Sequence, residues 1–145
     1  MSSNTYYLKI IAADGVFFQG KVRSLIFPEF DGEKEILAHH EDMVIAVRDG
    51  ALRFQKEDTE DWQEAVIGRG FLEVANNRAT LLVESAERPE DIDIARAKAA
   101  KERAEEQLRQ KQSVQEYYHS SASLARAMAR LKATSGGKHG INFSE

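Results

Sequence analysis

Apolar and polar residues alternate over short runs as far as about Val83, with turn-forming residues recurring about every 8–12 positions. The alternation predicts strands at Tyr6–Ile11, Val22–Phe27, Met43–Val47, Ala51–Gln55, Trp62–Ile67, Phe71–Ala75 and Ala79–Val83. Asp14-Gly15, Asp31-Gly32, Asp49-Gly50, Gly68-Arg69-Gly70 and Asn76-Asn77 punctuate them. Short strands at this spacing predict an antiparallel sandwich or barrel instead of alternating βαβ units. The acidic stretch Lys56–Asp61 reads as a solvated hairpin loop, because its carboxylates lack the regular spacing of a calcium loop.

Beyond Pro89 the period changes to that of a helix. Pro89, Glu90 and Asp91 suit a helix start, and the first helix is expected to run to about Gln110. On it Asp93, Arg96 and Arg103 share one angular sector, and Ala97, Ala100, Ala104 and Leu108 share the neighbouring one. Ser113-Val114-Gln115-Glu116 has capping-box spacing and opens a second helix, expected to end near Ala133 before Thr134-Ser135-Gly136-Gly137. That helix carries Ala127, Met128 and Leu131 on one side, with Arg126 and Arg130 away from it. A short connection makes the two helices antiparallel neighbours. The fold class is thus α+β in two units, residues 1–88 and 89–134, followed by a tail at 135–145 expected to be flexible.

Composition supports the division. Apolar residues make up 42% of the 145, but bulky ones dominate the first unit and alanine dominates from Ala95 to Ala133. An alanine seam buries little area per residue, so at ~25 cal/mol per Å² it holds a hairpin only weakly. The net charge of −4 is also uneven: residues 1–89 carry 16 acids against 10 bases, and residues 90–134 carry 7 acids against 9 bases. An acidic body with a mildly basic arm argues against nucleic acid and suits an acidic partner or a phosphate. There is no cysteine, no apolar run long enough to span a bilayer and no signal-peptide pattern at Met1-Ser2-Ser3-Asn4-Thr5. Membrane association is therefore expected only indirectly, through partners.

Catalytic chemistry finds no support. There is no thiol nucleophile and no Gly-x-Ser-x-Gly elbow, and Gly136-Gly137-Lys138 lacks phosphate-loop spacing. His39 and His40 read as loop residues without a metal-ligand partner. The arginines are more informative. Arg96 and Arg103 lie two helical turns apart, Arg126 and Arg130 one turn, so a folded hairpin brings up to four guanidinium groups toward one phosphate chain. Asp93 would then accept a hydrogen bond from an adenine or ribose, or orient Arg96. Arginines so spaced more usually decorate a solvated helix face, as the i,i+4 pairs Lys98–Glu102 and Lys101–Glu105 do, and spacing alone favours that reading while leaving the other open.

An ordered series of motifs resembles the epsilon subunit of bacterial F-type ATP synthases over about residues 5–134. Phe17-Phe18-Gln19-Gly20-Lys21-Val22 is similar to the family's "F-x-G-x-V" element. Asp31-Gly32-Glu33 with Ile36-Leu37 and His40 is similar to its glycine-rich loop, although Glu35 and Ala38 replace the usual glycine and proline. Gly70-Phe71-Leu72-Glu73-Val74, Asn77 and Thr80-Leu81-Leu82 resemble its "GF-x-EV…N-x-VT-x-L" strand pair, and Arg69 interrupts the usual paired glycines ahead of it. Glu84-Ser85-Ala86-Glu87 and Ile92-Asp93-x-x-Arg96-Ala97 resemble the domain junction and the start of the hairpin.

The resemblance implies a non-catalytic rotor subunit of a proton-translocating synthase, peripheral on the cytoplasmic face of the bacterial cell membrane. Its partners would be the gamma subunit, the c-ring and the alpha and beta catalytic subunits. It implies a β-sandwich that binds gamma and the ring, with Glu29, Asp31, Gly32, Glu33 and His40 on a ring-facing loop. The hairpin would inhibit ATP hydrolysis when extended. No cofactor is required, and no metal or catalytic residue is expected. ATP is the implied regulatory ligand of the folded hairpin, at Glu87, Ile92, Asp93, Arg96, Ala97, Arg103, Arg126 and Arg130. A passive stalk connector without nucleotide binding and a stand-alone ATP-binding sensor are the alternatives.

Overall fold

The computed structural model describes residues 4–110 and 114–135, with the side chains of 114–118 and 135 left out of the description. The chain divides into two compact units between Ala86 and Glu87.

In the first unit, strand β1 (Tyr6–Ala12) alternates strictly, burying Tyr6, Leu8, Ile10 and Ala12. Strand β2 (Gly15–Glu29) is 15 residues long, far beyond the expected Val22–Phe27. Its first half pairs with β1 as far as Tyr6↔Val22. Its second half then pairs with β3 (Gly32–Leu37) on one side and β5 (Gly50–Lys56) on the other. The early half escapes sequence reading because Gly15–Lys21 stays largely half-exposed and shows no clean period of two. Strands β4 (Met43–Val47), β6 (Trp62–Ile67), β7 (Gly70–Ala75) and β8 (Arg78–Val83) complete the order β4-β7-β8-β1-β2-β5-β6, with β3 beside β2.

Because β2 belongs to both halves, one continuous sheet turns back on itself there and becomes the expected sandwich. Leu8, Ile10, Leu72 and Leu81 from one half join Leu25, Phe27, Leu52, Phe54 and Ile67 from the other in a single core. The Phe18 and Phe54 rings lie 4.4 Å apart within it. The expectation of a wholly antiparallel sheet needs one correction: β1 and β8 pair in parallel. A long excursion through the other strands separates them in sequence, so no hairpin constrains their direction.

Turn chemistry follows the sequence. Asn76 and Asn77 adopt φ of 53° and 61°, as a two-residue hairpin turn between Ala75 and Arg78 requires. The Asn77 side chain also accepts from the His39 N–H at 2.6 Å and donates to the Thr5 carbonyl at 3.0 Å. His39 and His40 do lie in a turn, after β3. Residues 57–61 join β5 to β6, where Thr59 Oγ1 accepts from the Asp61 N–H. Gly70 has a steric cause: a Cβ there would lie 1.8 Å from the Leu82 carbonyl oxygen.

The second unit begins with a 3-10 turn at Pro89–Asp91, so the proline and acids start that turn instead of the long helix. Helix α1 (Ile94–Arg109) starts separately, with Asp93 as its N-cap. Helix α2 spans Val114–Ser135, and the Thr134 hydroxyl donates back to the Arg130 and Leu131 carbonyls in its last turn. The helices run antiparallel: Ser120, early in α2, donates to Gln107, late in α1, while Arg130, late in α2, reaches Glu87 ahead of α1. At the exposed end of α1, hydrogen bonding and charge from Arg109 hold the Glu106 carboxyl below its ordinary range. The buried side chains of α1 are Ala97 and Ala104, and those of α2 include Ser120, Ala127 and Ala133. Met128, expected on the packed side, is instead 40% exposed. One residue from Ala127 is about 100° around the helix, enough to turn the longer Met128 side chain outward. The capping box at Ser113 and Glu116, and the tail from Gly136, lie outside the described residues.

Two substitutions test this account. Gly70→Ala drives a methyl into the β8 backbone and should lower stability by about 3 kcal/mol in urea melts. Tyr6 donates to the Ile36 carbonyl at 2.7 Å, and burial, then the nearby Glu35 carboxylate, raises its phenol above the ordinary 10.0. Tyr6→Phe should therefore cost about 1 kcal/mol at neutral pH. An unfolded chain releases this proton near pH 10 while the folded chain keeps it, so parent stability falls as pH rises past that point. The urea midpoints of parent and variant should converge there.

Candidate functional site

The start of α1 organises a cavity of about 270 Å³ in the helical unit. Asp93 caps the helix, its Oδ1 accepting from the Arg96 N–H at 3.1 Å, which orders the first turn and fixes where Arg96 emerges. Arg103 follows two turns later on the same face. Arg130 arrives from α2, where its Nε donates to Glu87 Oε1 at 2.5 Å. The walls are Glu87, Asp91, Ile92, Asp93, Arg96, Ala97, Ala99, Ala100, Arg103 and Arg130. Alanines on the floor keep the space open, and three guanidinium groups supply the donor forks that planar or tetrahedral anions use. The volume sits just below the roughly 300–1,000 Å³ usual for small-molecule pockets, so it accommodates part of a nucleotide-sized ligand.

Seven of the eight residues anticipated for this site therefore line it: Glu87, Ile92, Asp93, Arg96, Ala97, Arg103 and Arg130. Arg126 does not, and its Nη2 donates to Ser123 one turn back on α2. Sequence reading missed Asp91, Ala99 and Ala100. Asp91 had been assigned to a helix start, and the alanines became lining only once the depth of the seam was known.

The anticipated ring-facing loop has a different form. Glu29, Asp31, Gly32 and Glu33 share the β2–β3 hairpin, whose two-residue tip is Phe30-Asp31. Phe30 is 72% exposed, with the Arg48 guanidinium 5.5 Å from its ring centroid, and Glu33 faces Arg53 at 3.4 Å. His40 lies past the other end of β3, its Nδ1 3.0 Å from the Glu41 carbonyl oxygen. The segment is a strand because Ile36 points into the core while Glu33 and Glu35 point out, a period of two that charge disguises. It separates His40 from the other four residues.

A further surface was not anticipated. On the outer face of the sheet, Ala46 pairs with Phe71, Phe71 with Leu82, Leu82 with Ile11, and Ile11 with Val16. An unbroken apolar row thus crosses β4, β7, β8, β1 and β2, with Phe71, Leu82 and Val16 each more than half exposed. Exposed apolar strand positions look like buried ones in a sequence, and only the register reveals the row. Among the described residues no helix is long and apolar enough to cross a membrane, and no group of acids and histidines is arranged for a metal.

Residues 5–89 match the family described as "ATP synthase, Delta/Epsilon chain, beta-sandwich domain", and residues 90–135 match its "long alpha-helix domain". The ATP synthase epsilon chain of Ruminiclostridium cellulolyticum is 46% identical over 130 residues, covering 90% of this chain and 96% of the relative. That of Caldicellulosiruptor bescii is 41% identical over 136 residues, covering 94% and 98%. Similar folds occur in the Euglena gracilis mitochondrial ATP synthase (TM-score 0.75, 21% identity, 89% of this chain and 80% of that one) and in the central stalk and c-ring structure from Tetrahymena thermophila (0.63, 11%, 89% and 96%). Motif order, the two-unit fold and near full-length identity to bacterial epsilon chains agree, and the chain belongs to the delta/epsilon family of ATP synthases as an epsilon chain.

Proposed function

We propose that this non-catalytic chain works in the central stalk of a proton-translocating ATP synthase at the cytoplasmic face of the cell membrane. The sandwich holds the gamma subunit and the c-ring, and the helical pair is an ATP-responsive brake on hydrolysis by the alpha and beta subunits. The observation that carries this reading is the convergence of Arg96, Arg103 and Arg130 on one cavity of the helical unit. Arginine forks would hold the phosphates, while Ile92, Ala97 and Ala100 offer an apolar floor to the base or ribose.

ATP bound there touches the start of α1 and the end of α2 together, so it binds the closed pair better than an opened one. A ligand shifts a two-state equilibrium only by that difference in affinity. At a concentration 100 times its dissociation constant, a ligand exclusive to the closed state stabilises it by ~2.7 kcal/mol. The seam is small enough for that to matter. For gamma, the support is the apolar row centred on Phe71 and Leu82, since contiguous exposed apolar surface marks protein contact sites. For the ring, it is the exposed Phe30 tip among Glu29, Asp31 and Glu33.

Calorimetric titration of the full chain with ATP should give saturable binding, weakened about tenfold or more by Arg103→Ala or Arg130→Ala. Absence of heat at millimolar ATP would remove the nucleotide reading and leave the stalk role standing. Truncation after Arg88 should raise ATP hydrolysis by the assembled complex, whereas unchanged hydrolysis would favour a passive connector. Phe71→Glu should abolish copurification with gamma while shifting the urea midpoint by no more than about 0.5 kcal/mol, as expected at an exposed position.

A further inference from the structure

The cavity of the helical unit is formally neutral. Arg96, Arg103 and Arg130 face Glu87, Asp91 and Asp93, so it does not present the net positive charge that an open anion site would. Asp93 is committed to capping α1. Glu87 is committed to Arg130, through a 2.5 Å ion pair between residues 43 apart in sequence, with the two side chains 36% and 24% exposed. This contact joins the residue that opens the helical unit to the last turns of α2, and it closes the pair from the same guanidinium that a phosphate would use.

We infer that Glu87 is an internal competitor for the anion: its carboxylate holds Arg130, and thereby the closed hairpin, until a phosphate group displaces it. The inference rests on the proposed polyphosphate site and adds a regulatory element to it. Both partners offer oxygens to one guanidinium, so binding exchanges an intramolecular ion pair for an intermolecular one. The energy released is the difference between the two. The exchange lowers apparent affinity, keeps the arm closed at low ligand concentration and narrows the contrast between empty and filled states. A partly exposed pair has modest strength, so removing the competitor has a measurable but bounded effect.

Inorganic tripolyphosphate is the appropriate probe, because it has no base or ribose for Glu87 to contact. In calorimetry of the full chain, Glu87→Gln should tighten tripolyphosphate binding about three- to fivefold, and the gain should vanish when Arg130→Gln is added. The chain has no cysteine, so Glu90→Cys and Lys132→Cys introduce a unique dye pair across the two ends of the hairpin. Energy transfer without ligand should fall in Glu87→Gln and recover in the charge swap Glu87→Arg with Arg130→Glu. Recovery in the swap also excludes misfolding as the cause. Unchanged or weaker tripolyphosphate binding by Glu87→Gln overturns the competitor role, and ATP binding to the parent then leaves the nucleotide reading intact. Tighter tripolyphosphate binding with no ATP heat does the reverse, upholding the competitor and removing the nucleotide.

Discussion

Everything the helical unit can do depends on how little its seam buries. Ala97 and Ala104 of α1 meet a neighbour whose buried positions include Ser120, Ala127 and Ala133. A leucine at such a position contributes roughly 2 kcal/mol of burial, and an alanine only a fraction of that. Polar contacts therefore decide whether the pair stays closed, a role they rarely have in a well-filled core. Among the described residues, Ser120 reaches Gln107 near the connection and Arg130 reaches Glu87 at the open end. The second of these is also a wall of the cavity, so closure and ligand chemistry share one guanidinium.

The sandwich obeys the opposite constraint. Its core is filled by leucine, isoleucine and phenylalanine from both halves of a sheet that turns back through β2. With the inner faces saturated, the outer faces are free to vary. One carries the apolar row through Phe71 and Leu82, and the β2–β3 hairpin presents Phe30 amid carboxylates. Two chemically distinct surfaces on one filled core would suit the proposed contacts with gamma and the ring. The contrast with the helical unit is one of stability: large buried area in one, small area and a few charges in the other.

Much of this was legible in the sequence where one physical signal dominated. Tyr6–Ala12 alternates so strictly that its strand and its buried face follow directly. The alanine spacing on residues 97–104 likewise predicts a shallow helical seam, and two-turn spacing puts Arg96 and Arg103 on one wall. Failures came where two signals competed. In Gly32–Leu37, charge and a glycine concealed a period of two, and a loop was expected where a strand separates Glu33 from His40. At Pro89–Asp91, good helix-start residues open a short 3-10 turn, and the cap of α1 belongs to Asp93. Arg126 and Arg130 are one turn apart, yet only Arg130 reaches the cavity, because Arg126 bonds Ser123 on its own helix. Cross-strand register was beyond local reading altogether, and with it the apolar row.

The placement of Asp93 also bears on mechanism. Its Oδ1 accepts from the Arg96 N–H and caps α1, and the same residue lines the cavity. Such a cap orders the carboxylate together with the first turn of α1. Glu87 differs in kind, since it pairs with a side chain from late in α2. Opening the hairpin must break this contact, whereas the bond of Asp93 lies within the first turn of α1. In the proposed exchange, a ligand that took Arg130 from Glu87 would replace one closing contact with another. A unit so built would stay closed at low ligand concentration, and its empty and filled states would differ little.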